Sequence, residues 1–387
     1  MAERLAKASL NPNVEQIYPI VNDVYQQMTG VKDIEVVDTA TLVTMGKKLE
    51  DLQKKDLWFN TLARRIGMTI DEYRAYTNRF ADLYRTQMEW GAIVQKVEAE
   101  MPEATEDVSW DLGYLDGKSV DQWIISNPKI RQKFFEKETP YSFFITISTV
   151  MLRDAFITPS AMASFIRQIF GKVQNKINFT LEELARLAIC NFIGNTGDAQ
   201  TFKTVTIYNT LTGSSLTPAT AFNDADYLRW LVGFINNISG KMELMSQLYN
   251  AEKHQKFTPK SAQKLYMISD LITRMQTLTA YEAFNPQYIT SKPDILVPYW
   301  QSSGTEPQAD WNTITQVKIK NSKGVETVKN NVIAILIDRE TIGTFRTEQE
   351  TLTTPVNARA RYYNTFWHER QLWFNDFGEN GVIFTME

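Results

Sequence analysis

The segment between residues 158 and 194 constrains the fold more than any other part of this sequence. It opens with Thr158 and Pro159, which suit the N-cap and the first position of a helix. Thr180 and Glu183 have the spacing of a capping box and predict a second helix, which ends near Gly194. The sequence therefore predicts two consecutive helices. The first carries an apolar stripe about five turns long, made of Met162, Phe165, Ile166, Ile169, Phe170, Val173 and Ile177.

Two segments upstream of these helices have the signature of long β-strands. Residues 90–101 alternate between apolar and polar side chains with a period of two. Residues 140–152 are dense in β-branched and aromatic side chains. The residues between the two segments are polar and contain several turn signals. We expect the two strands to form one extended hairpin.

The charges along this predicted hairpin are asymmetric. Acidic residues dominate between 98 and 111, and basic residues dominate between 129 and 137. Two explanations remain open. The hairpin either neutralises its own charges in solvent, or it is an arm that lies on a neighbouring subunit of complementary charge.

The rest of the chain divides into segments of different character. Residues 1–75 have helical spacing, and residues 198–330 alternate between strand and helix signals. Residues 331–387 are mostly strand and begin with the apolar run VIAILI at 332–337. We therefore expect an α+β protein.

Composition and charge exclude several function classes. The net charge is −4 and the isoelectric point is near 5.6, which does not fit a sequence-specific nucleic-acid reader. Cys190 is the single cysteine, and His254 and His368 lie more than a hundred residues apart. We therefore expect no disulfide, no metal site and no cofactor. No apolar run is long enough to cross a membrane, and the N-terminus lacks the apolar core of a signal peptide.

Candidate catalytic groups are few. The sequence has no glycine-rich phosphate loop, and GNTGD at 194–198 follows a helix, where it is typical of a C-cap. Cys190 falls within a helix on an apolar face, which predicts an inert buried thiol. The cluster WHER at 367–370 is the most suggestive. In a strand, however, His368 and Glu369 point to opposite faces, so the glutamate cannot orient the histidine as a general base. We expect no catalytic residue.

The order of these segments resembles a known family. The stretch LARRIGMTI precedes the predicted hairpin, and SFIRQIFGKVQ follows LRDAFITP directly. Near the C-terminus, an apolar strand runs to Ile337-Asp338-Arg339, an aromatic strand begins at Tyr362-Tyr363, and GVIF closes the pattern. This order is similar to that of the major capsid proteins of tailed double-stranded DNA bacteriophages, which have the Hong Kong 97-type fold. The resemblance is strongest to the major head proteins of small short-tailed phages of Gram-positive hosts.

The resemblance implies a division of the chain into five parts. They are an N-terminal helical arm (1–75), an extended β-hairpin or E-loop (76–157), a spine helix with the P-domain sheet (158–197), an α/β A-domain (198–330) and C-terminal strands that return to the P-domain (331–387). The sequence shows neither a long N-terminal coiled segment nor a C-terminal immunoglobulin-like domain. A separately encoded scaffolding or internal core protein is therefore implied.

The resemblance also implies a structural role. Pentamers and hexamers of the chain would form an icosahedral head, after synthesis in the cytoplasm of the bacterial host. A portal protein and nonspecific contact with packaged DNA are implied as well, and no membrane. An encapsulin-like compartment shell is the alternative with the same fold, and an α/β enzyme with a polar pocket at His254 or His368 is the alternative from another class. We expect contacts between subunits, with ordinary core packing as the competing explanation, at Ile93, Val97, Met101, Phe143, Ile145, Ile147, Phe165, Ile169, Phe170, Tyr363, Phe366 and Trp367.

Overall fold

The computed structural model describes most of the chain between residues 14 and 387. The described ranges are 14–30, 35–51, 76–85, 93–102, 129–136, 138–155, 159–282, 293–301, 310–320 and 324–387, together with residues 110, 116–117, 123, 125, 127 and 157. Helices and sheets combine in an α+β arrangement, as the sequence predicts. The stretch LARRIGMTI, the N-cap candidate Thr158 and the acidic residues between 103 and 109 lie outside the described residues.

Two helices make up the described part of the N-terminal segment. The helix α1 spans Val14–Thr29 and α2 spans Thr39–Asp51. Asn22 ties α1 to the segment before α2, because its amide nitrogen donates to the carbonyl of Val36 at 3.1 Å and its Oδ1 accepts from the Val36 amide at 2.7 Å. The apolar sides of both helices belong to the same core cluster as the first half of the longest helix.

The two helices predicted between residues 158 and 194 are one helix, and the predicted new start at Thr180 is wrong. After the short helix α3 (Thr149–Ala155), α4 spans Pro159–Asn195. Its 37 residues correspond to about 55 Å of helix. Ile177, Leu181 and Ala185 are all buried at a spacing of four residues. Because tertiary packing of this face continues through Thr180, it outweighs the local capping signal.

Three strands form a sheet beside the first half of α4. The strands β3 (Glu138–Ser148), β10 (Ile342–Thr353) and β11 (Tyr362–Asn375) are ordered β10-β11-β3, and both pairs are antiparallel. The predicted hairpin partner of residues 140–152 is therefore wrong, because this segment pairs with β11. The physical reason is burial. Alternate residues of β3 pack into the core beside α4. In a hairpin exposed to solvent these side chains would not be buried.

The hairpin itself is formed by a different pair of strands. The strand β1 (Val94–Ala99) pairs antiparallel with β2 (Ile130–Phe135), so that Val94 lies opposite Phe135 and Ala99 opposite Ile130. The first strand thus lies where the alternation of residues 90–101 predicts it. The second strand comes from the basic stretch after residue 129.

A five-stranded sheet forms the second core. Its order is β4-β12-β9-β5-β6, and all residues of its central strand β9 (Val332–Asp338) are buried. The second half of α4 covers one face, and three helices cover the other. Burial on both faces explains the continuous apolar run VIAILI. The other strands and the three helices are β4 (Thr201–Lys203), β5 (Gln263–Ile268), β6 (Ile295–Val297), β12 (Gly381–Thr385), α5 (Thr204–Thr212), α7 (Ala225–Met242) and α8 (Ser269–Glu282).

The C-terminal strands are divided between the two sheets. The strands β10 and β11 join β3, whereas β9 and β12 pair with strands from residues 198–330. We expected all of them to return to the P-domain. The difference has a physical reason, since β9 and β12 are buried on both faces and need a sheet that helices cover on both sides. The remaining elements are α6 (Pro218–Ala221), α9 (Trp311–Thr315), β7 (Val317–Lys320) and β8 (Glu326–Lys329).

Gly194 lies in the last turn of α4 and packs closely against β7. A Cβ atom at this position would overlap Cδ1 and Cγ1 of Ile319, a buried residue, and would lie 3.3 Å from its Cγ2. The helix ends at Asn195, within the segment 194–198 that was predicted as its C-cap, but neither Gly194 nor Gly197 has the positive φ of a left-handed glycine cap. Gly194 instead allows the helix to approach the strand.

The substitution Gly194→Ala is expected to lower the free energy of unfolding by about 1–3 kcal/mol, because overpacking against Ile319 outweighs the gain in helix propensity. Gly171→Ala is the matched control in the same helix, where a Cβ atom meets nothing within 4 Å. It is expected to raise the free energy of unfolding by roughly 0.5–1 kcal/mol. Urea titration of the unassembled subunits measures both values. Stabilisation by Gly194→Ala would contradict the close packing.

Candidate assembly surface

The hairpin of β1 and β2 turns an uncharged face to solvent. Exposed and covered residues alternate along both strands. Four apolar residues on the exposed side have between 53% and 59% of their surface in solvent, so more than half of each is available for contact. They are Ile93, Val97, Ile130 and Phe134, and the residues Gln95, Ala99 and Gln132 lie on the same side. We call these seven residues the outer face of the hairpin. Contiguous exposed apolar residues of this kind mark interaction sites.

The opposite face of the hairpin is charged, and it packs on the subunit itself. Lys96 of β1 and Lys133 of β2 both donate to the carboxylate of Asp376, with nitrogen–oxygen distances of 2.7 and 2.6 Å. Lys96 also pairs with Glu379, and Lys133 pairs with Glu252 at 2.6 Å. These contacts hold both strands of the hairpin to the turn between β11 and β12 and to the loop after α7.

Lys256 and Arg131 extend the same network. Lys256 lies 3.0 Å from Glu98 and 2.7 Å from Glu379, measured between the ammonium nitrogen and a carboxylate oxygen. Arg131 pairs with Glu100 and contacts His254. We call the whole network the ionic seat of the hairpin, and it consists of Lys96, Glu98, Glu100, Arg131, Lys133, Glu252, His254, Lys256, Asp376 and Glu379.

Asp376 lies at the centre of the ionic seat. Only 2% of its side chain is exposed, and its Oδ1 also accepts from the backbone amide of Gly378 at 3.0 Å. Burial by itself raises the pKa of Asp376. Hydrogen bonds from Lys133 and Lys96, together with the charge of Lys96, outweigh burial and hold this pKa below its ordinary value of 3.8. The carboxylate therefore stays ionised at neutral pH.

The three-stranded sheet also has a covered and an open face. Tyr363 and Trp367 of β11 are buried in the core cluster that includes α4. On the open face, Leu352, Phe366 and Phe144 lie side by side across the three strands. The ring centroids of Phe144 and Phe366 are 5.9 Å apart, and 68% of Phe144 is exposed. We call these three residues the aromatic row. It is a second apolar surface that is open to contact.

The predicted contact residues separate into an exposed and a covered group. Ile93, Val97 and Met101 are exposed, and Phe366 is half-buried in the aromatic row. The side chain of Phe170 lies outside the described residues. The others pack into one core cluster of the subunit, which consists in part of Phe143, Ile145, Ile147, Phe165, Ile169, Tyr363 and Trp367. Contact of any of these residues with a neighbour stays a prediction.

Sequence reasoning missed four large apolar residues of these open surfaces. They share a position on the exposed side of a strand, and they are Ile130, Phe134, Phe144 and Leu352. In the stretch IRQKFF the charged residues Arg131 and Lys133 lie two positions apart and alternate with uncharged residues, and this was the available signal for β2. No local signal identifies Leu352, because its significance arises from pairing with β11.

The WHER cluster is part of a strand, and its geometry is the predicted one. Trp367 and Glu369 are buried on one face of β11, whereas His368 is half-buried and Arg370 exposed on the other. The ring of His368 stacks on Phe366 with 6.0 Å between centroids. The carboxylate of Glu369 instead accepts hydrogen bonds from the side-chain amide nitrogens of Gln349 at 3.3 Å and Gln371 at 3.4 Å. The histidine and the glutamate therefore do not act together.

The substitution Glu369→Gln is expected to raise the free energy of unfolding at pH 7 by roughly 1 kcal/mol. Burial raises the pKa of Glu369, and the opposing effects of Arg346 and Gln371 are smaller. The folded state therefore binds a proton more tightly than the unfolded state does. This destabilisation is absent below the ordinary pKa of 4.5 and grows as the pH rises from there through the folded pKa.

Urea unfolding of the unassembled subunit at pH 7 and pH 4 tests this prediction, since the gain is expected at pH 7 only. The matched control is Glu350→Gln on the adjacent strand β10, an exposed glutamate opposite His368. It is expected to change stability by no more than about 0.5 kcal/mol. A loss of stability for Glu369→Gln at pH 7 would mean that Arg346 pairs strongly with this carboxylate.

The described residues show no arrangement typical of a catalytic, metal or membrane site. Cys190 is buried, its thiol donates to the carbonyl of Trp300 at 3.2 Å, and burial raises its pKa to about 12. A cavity of about 500 Å³ lies beside His254, and four of the residues that line it, Glu98, Glu100, Arg131 and His254, belong to the ionic seat. Within the described ranges, no cluster of His, Cys, Asp and Glu could hold a metal ion. Nor is any described helix long and apolar enough to cross a membrane.

The family model of the Phi29-like phage major capsid protein matches residues 17–385 of the chain. The chain belongs to this family. It is a structural protein of the phage capsid and not an enzyme, and many copies of it build the shell. The family match also favours a phage capsid over an encapsulin-like compartment.

Chains in two solved phage structures share the fold of this capsid protein. A chain in the capsid structure of Staphylococcus phage Andhra is similar with a TM-score of 0.53 and 12% identity, over 81% of this chain and 85% of that chain. A chain in the structure of the head fiber and inner core protein of native bacteriophage P68 is similar with a TM-score of 0.51 and 12% identity, over 81% of this chain and 86% of that chain. At such identity the likeness shows the Hong Kong 97-type fold alone. A comparison with curated proteins found no match.

Proposed function

We propose that this capsid protein assembles as pentamers and hexamers into an icosahedral head around packaged double-stranded DNA, and that the outer face of the hairpin contacts a neighbouring subunit. The proposal rests on which face of the hairpin is covered and which is exposed to solvent. Its charged face packs on its own subunit, while the exposed face of its described strands has no charged residue. A second copy of the chain is the partner that would bury this face in the shell.

The proposed contact surface on the neighbour is the three-stranded sheet β10-β11-β3, which we identify with the P-domain sheet, together with the spine helix α4. The aromatic row supports the choice of the sheet, because it is an apolar surface of three strands in register that is open to solvent, on the face away from α4. Each such interface is modest in area. A closed shell nevertheless becomes stable because every subunit makes several of these contacts at once.

The other proposed partners follow from the family. They are a portal protein, a separately encoded scaffolding or internal core protein, and packaged DNA in nonspecific contact. The net charge of −4 supports weak contact with DNA, since an inner wall that binds DNA tightly would oppose its movement during packaging. We place synthesis in the bacterial host cytoplasm, and we assign the chain to a small short-tailed phage of a Gram-positive host. Neighbouring genes for portal and terminase proteins, read in a phage genome from such a host, would test the assignment.

Electron microscopy of the purified protein over a range of concentrations tests the assembly proposal. We expect closed shells or tubular polyheads that become more abundant as the protein concentration rises. Co-expression with the scaffolding protein of the same phage is the second arm, and it is expected to make the shells more uniform in size. A monodisperse monomer at high concentration in both arms would refute the proposal.

A further inference from the structure

The ionic seat holds the hairpin with contacts of an unusual kind for a permanent attachment. Apolar contact between the hairpin and its own subunit lies at the base, where the rings of Phe135 and Phe374 are 4.8 Å apart between centroids. Farther along the strands, the described contacts of Lys96, Arg131 and Lys133 are hydrogen bonds to charged or ionisable groups. A permanent attachment of this size would be at least as stable with apolar residues, because buried ion pairs lose much of their attraction to desolvation.

The two halves of the ionic seat differ in rigidity. Asp376 and Glu379 of the subunit half lie on a turn whose backbone is held at both ends, since the amide of Asp376 donates to the carbonyl of Thr341 at 2.7 Å and the amide of Gly381 donates to the carbonyl of Tyr249 at 2.8 Å. Asn380 within this turn is fully buried. The hairpin half lies on two strands that, among the described strands, pair only with each other. Any movement between the halves is therefore a movement of the hairpin.

Opening the ionic seat would cost less than opening an apolar contact. Lys96 and Lys133 each have 29% of their side chain exposed, so water already reaches the ion pairs. When the hairpin lifts, Asp376 and both lysines regain their hydration, which offsets the lost attraction. An apolar seat would instead expose its surface to water without any compensating hydration.

We propose that the ionic seat is a releasable latch. It holds the hairpin on its own subunit so that the outer face is presented in one orientation, and its opening lets the hairpin pivot about the aromatic base at Phe135. Contact of the outer face with neighbours rests on the proposed function, whereas the latch is a property of the single subunit. The two can therefore fail separately.

Hydrogen exchange of the unassembled full-length subunit tests the latch. Peptides that cover residues 94–99 and 130–135 report on the hairpin, and a peptide that covers 332–338 reports on the core. Raising the salt concentration from about 50 mM to 1 M screens exposed charges. It is expected to lower protection of the hairpin peptides at least tenfold and to leave the core peptide unchanged. Assembly plays no part in this measurement.

Two variants make the test specific. Asp376→Asn is expected to lower hairpin protection at low salt as much as 1 M salt does in the unmodified chain. Glu252→Gln is the milder variant, because 37% of the Glu252 side chain is exposed and its loss leaves Asp376 in place. It is expected to give a smaller decrease that is confined to the hairpin. The matched control is Asp226→Asn, which removes an exposed carboxylate that pairs with Arg229 on α7 and is expected to leave the hairpin unchanged.

The outcomes separate cleanly. Salt-dependent loss of protection in the hairpin alone supports the latch. Hairpin protection that neither salt nor either variant changes would overturn it, because the attachment would then be permanent. Loss of protection in the hairpin and in residues 332–338 together, in both variants, would also overturn it, because the ionic seat would then be part of the folding core.

Discussion

Replacing Val97 and Phe134 together by aspartate is expected to abolish shell assembly and to leave the subunit folded. Both residues lie on the outer face of the hairpin, and 56% and 55% of their surfaces are exposed. Within the single subunit the two carboxylates remain in water, so the free energy of unfolding should change by no more than about 0.5 kcal/mol for each. In an interface the same carboxylates would be buried against apolar side chains, which costs several kcal/mol when no partner neutralises them.

The effect on assembly is large because the contact recurs in every subunit. Each increment of about 1.4 kcal/mol weakens one contact tenfold, and a shell needs all of its contacts at once. Sedimentation and electron microscopy at matched concentrations measure the loss, and circular dichroism reports whether the subunit is folded. The control carries Val97→Leu and Phe134→Leu, which keep the face apolar and should assemble. Normal shells from the aspartate variant would show that this face lies outside the interfaces.

Trp300→Ala is expected to lower the free energy of unfolding by about 3–5 kcal/mol, the largest loss of stability among these substitutions. Trp300 is fully buried between the second half of α4 and the five-stranded sheet. Its indole nitrogen donates to the carbonyl of Val332 at 2.8 Å, and its own carbonyl accepts from the Cys190 thiol at 3.2 Å. The substitution leaves a large cavity and removes the indole donor from the buried carbonyl of Val332.

Urea unfolding of the unassembled subunit measures this loss. Trp300→Phe keeps most of the apolar volume and removes the donor, so a smaller loss of about 1–3 kcal/mol is expected. The control Trp123→Ala removes an indole that is 81% exposed and should change stability by no more than about 0.5 kcal/mol. Equal losses for Trp300→Ala and Trp123→Ala would contradict the assignment of Trp300 to the core.

Local patterns were sufficient for several elements of this capsid protein. The strand at residues 94–99 and the buried strand at 332–338 follow from alternation and from a continuous apolar run. The separation of His368 from Glu369 follows from the period of a strand alone. In each case the deciding interaction lies within a few residues along the chain.

These local patterns do not predict which distant segments pair with each other or which residues become buried between them. The β-branched and aromatic residues of 140–152 predict a strand, but they do not say that residues 138–148 pair with residues 362–372, more than two hundred positions away. The capping box at Thr180 is a valid local signal that the packing of Ile177 and Leu181 overrides. Both errors arise because the free energy of burial depends on which segments meet, and no short window contains that information.

The sequence by itself determined the α+β class, the helical stripe, the first hairpin strand and the order of segments that resembles phage capsid proteins. Only the tertiary structure decided which face of the hairpin is open. The alternation of β1 separates Val97 from Lys96, yet it does not say which of the two faces solvent. Asp376 and Glu379 decide this, because they come to the hairpin from a turn about 280 residues farther along the chain and bind its lysines. The charged face therefore turns inward, and the apolar face is left open for contact.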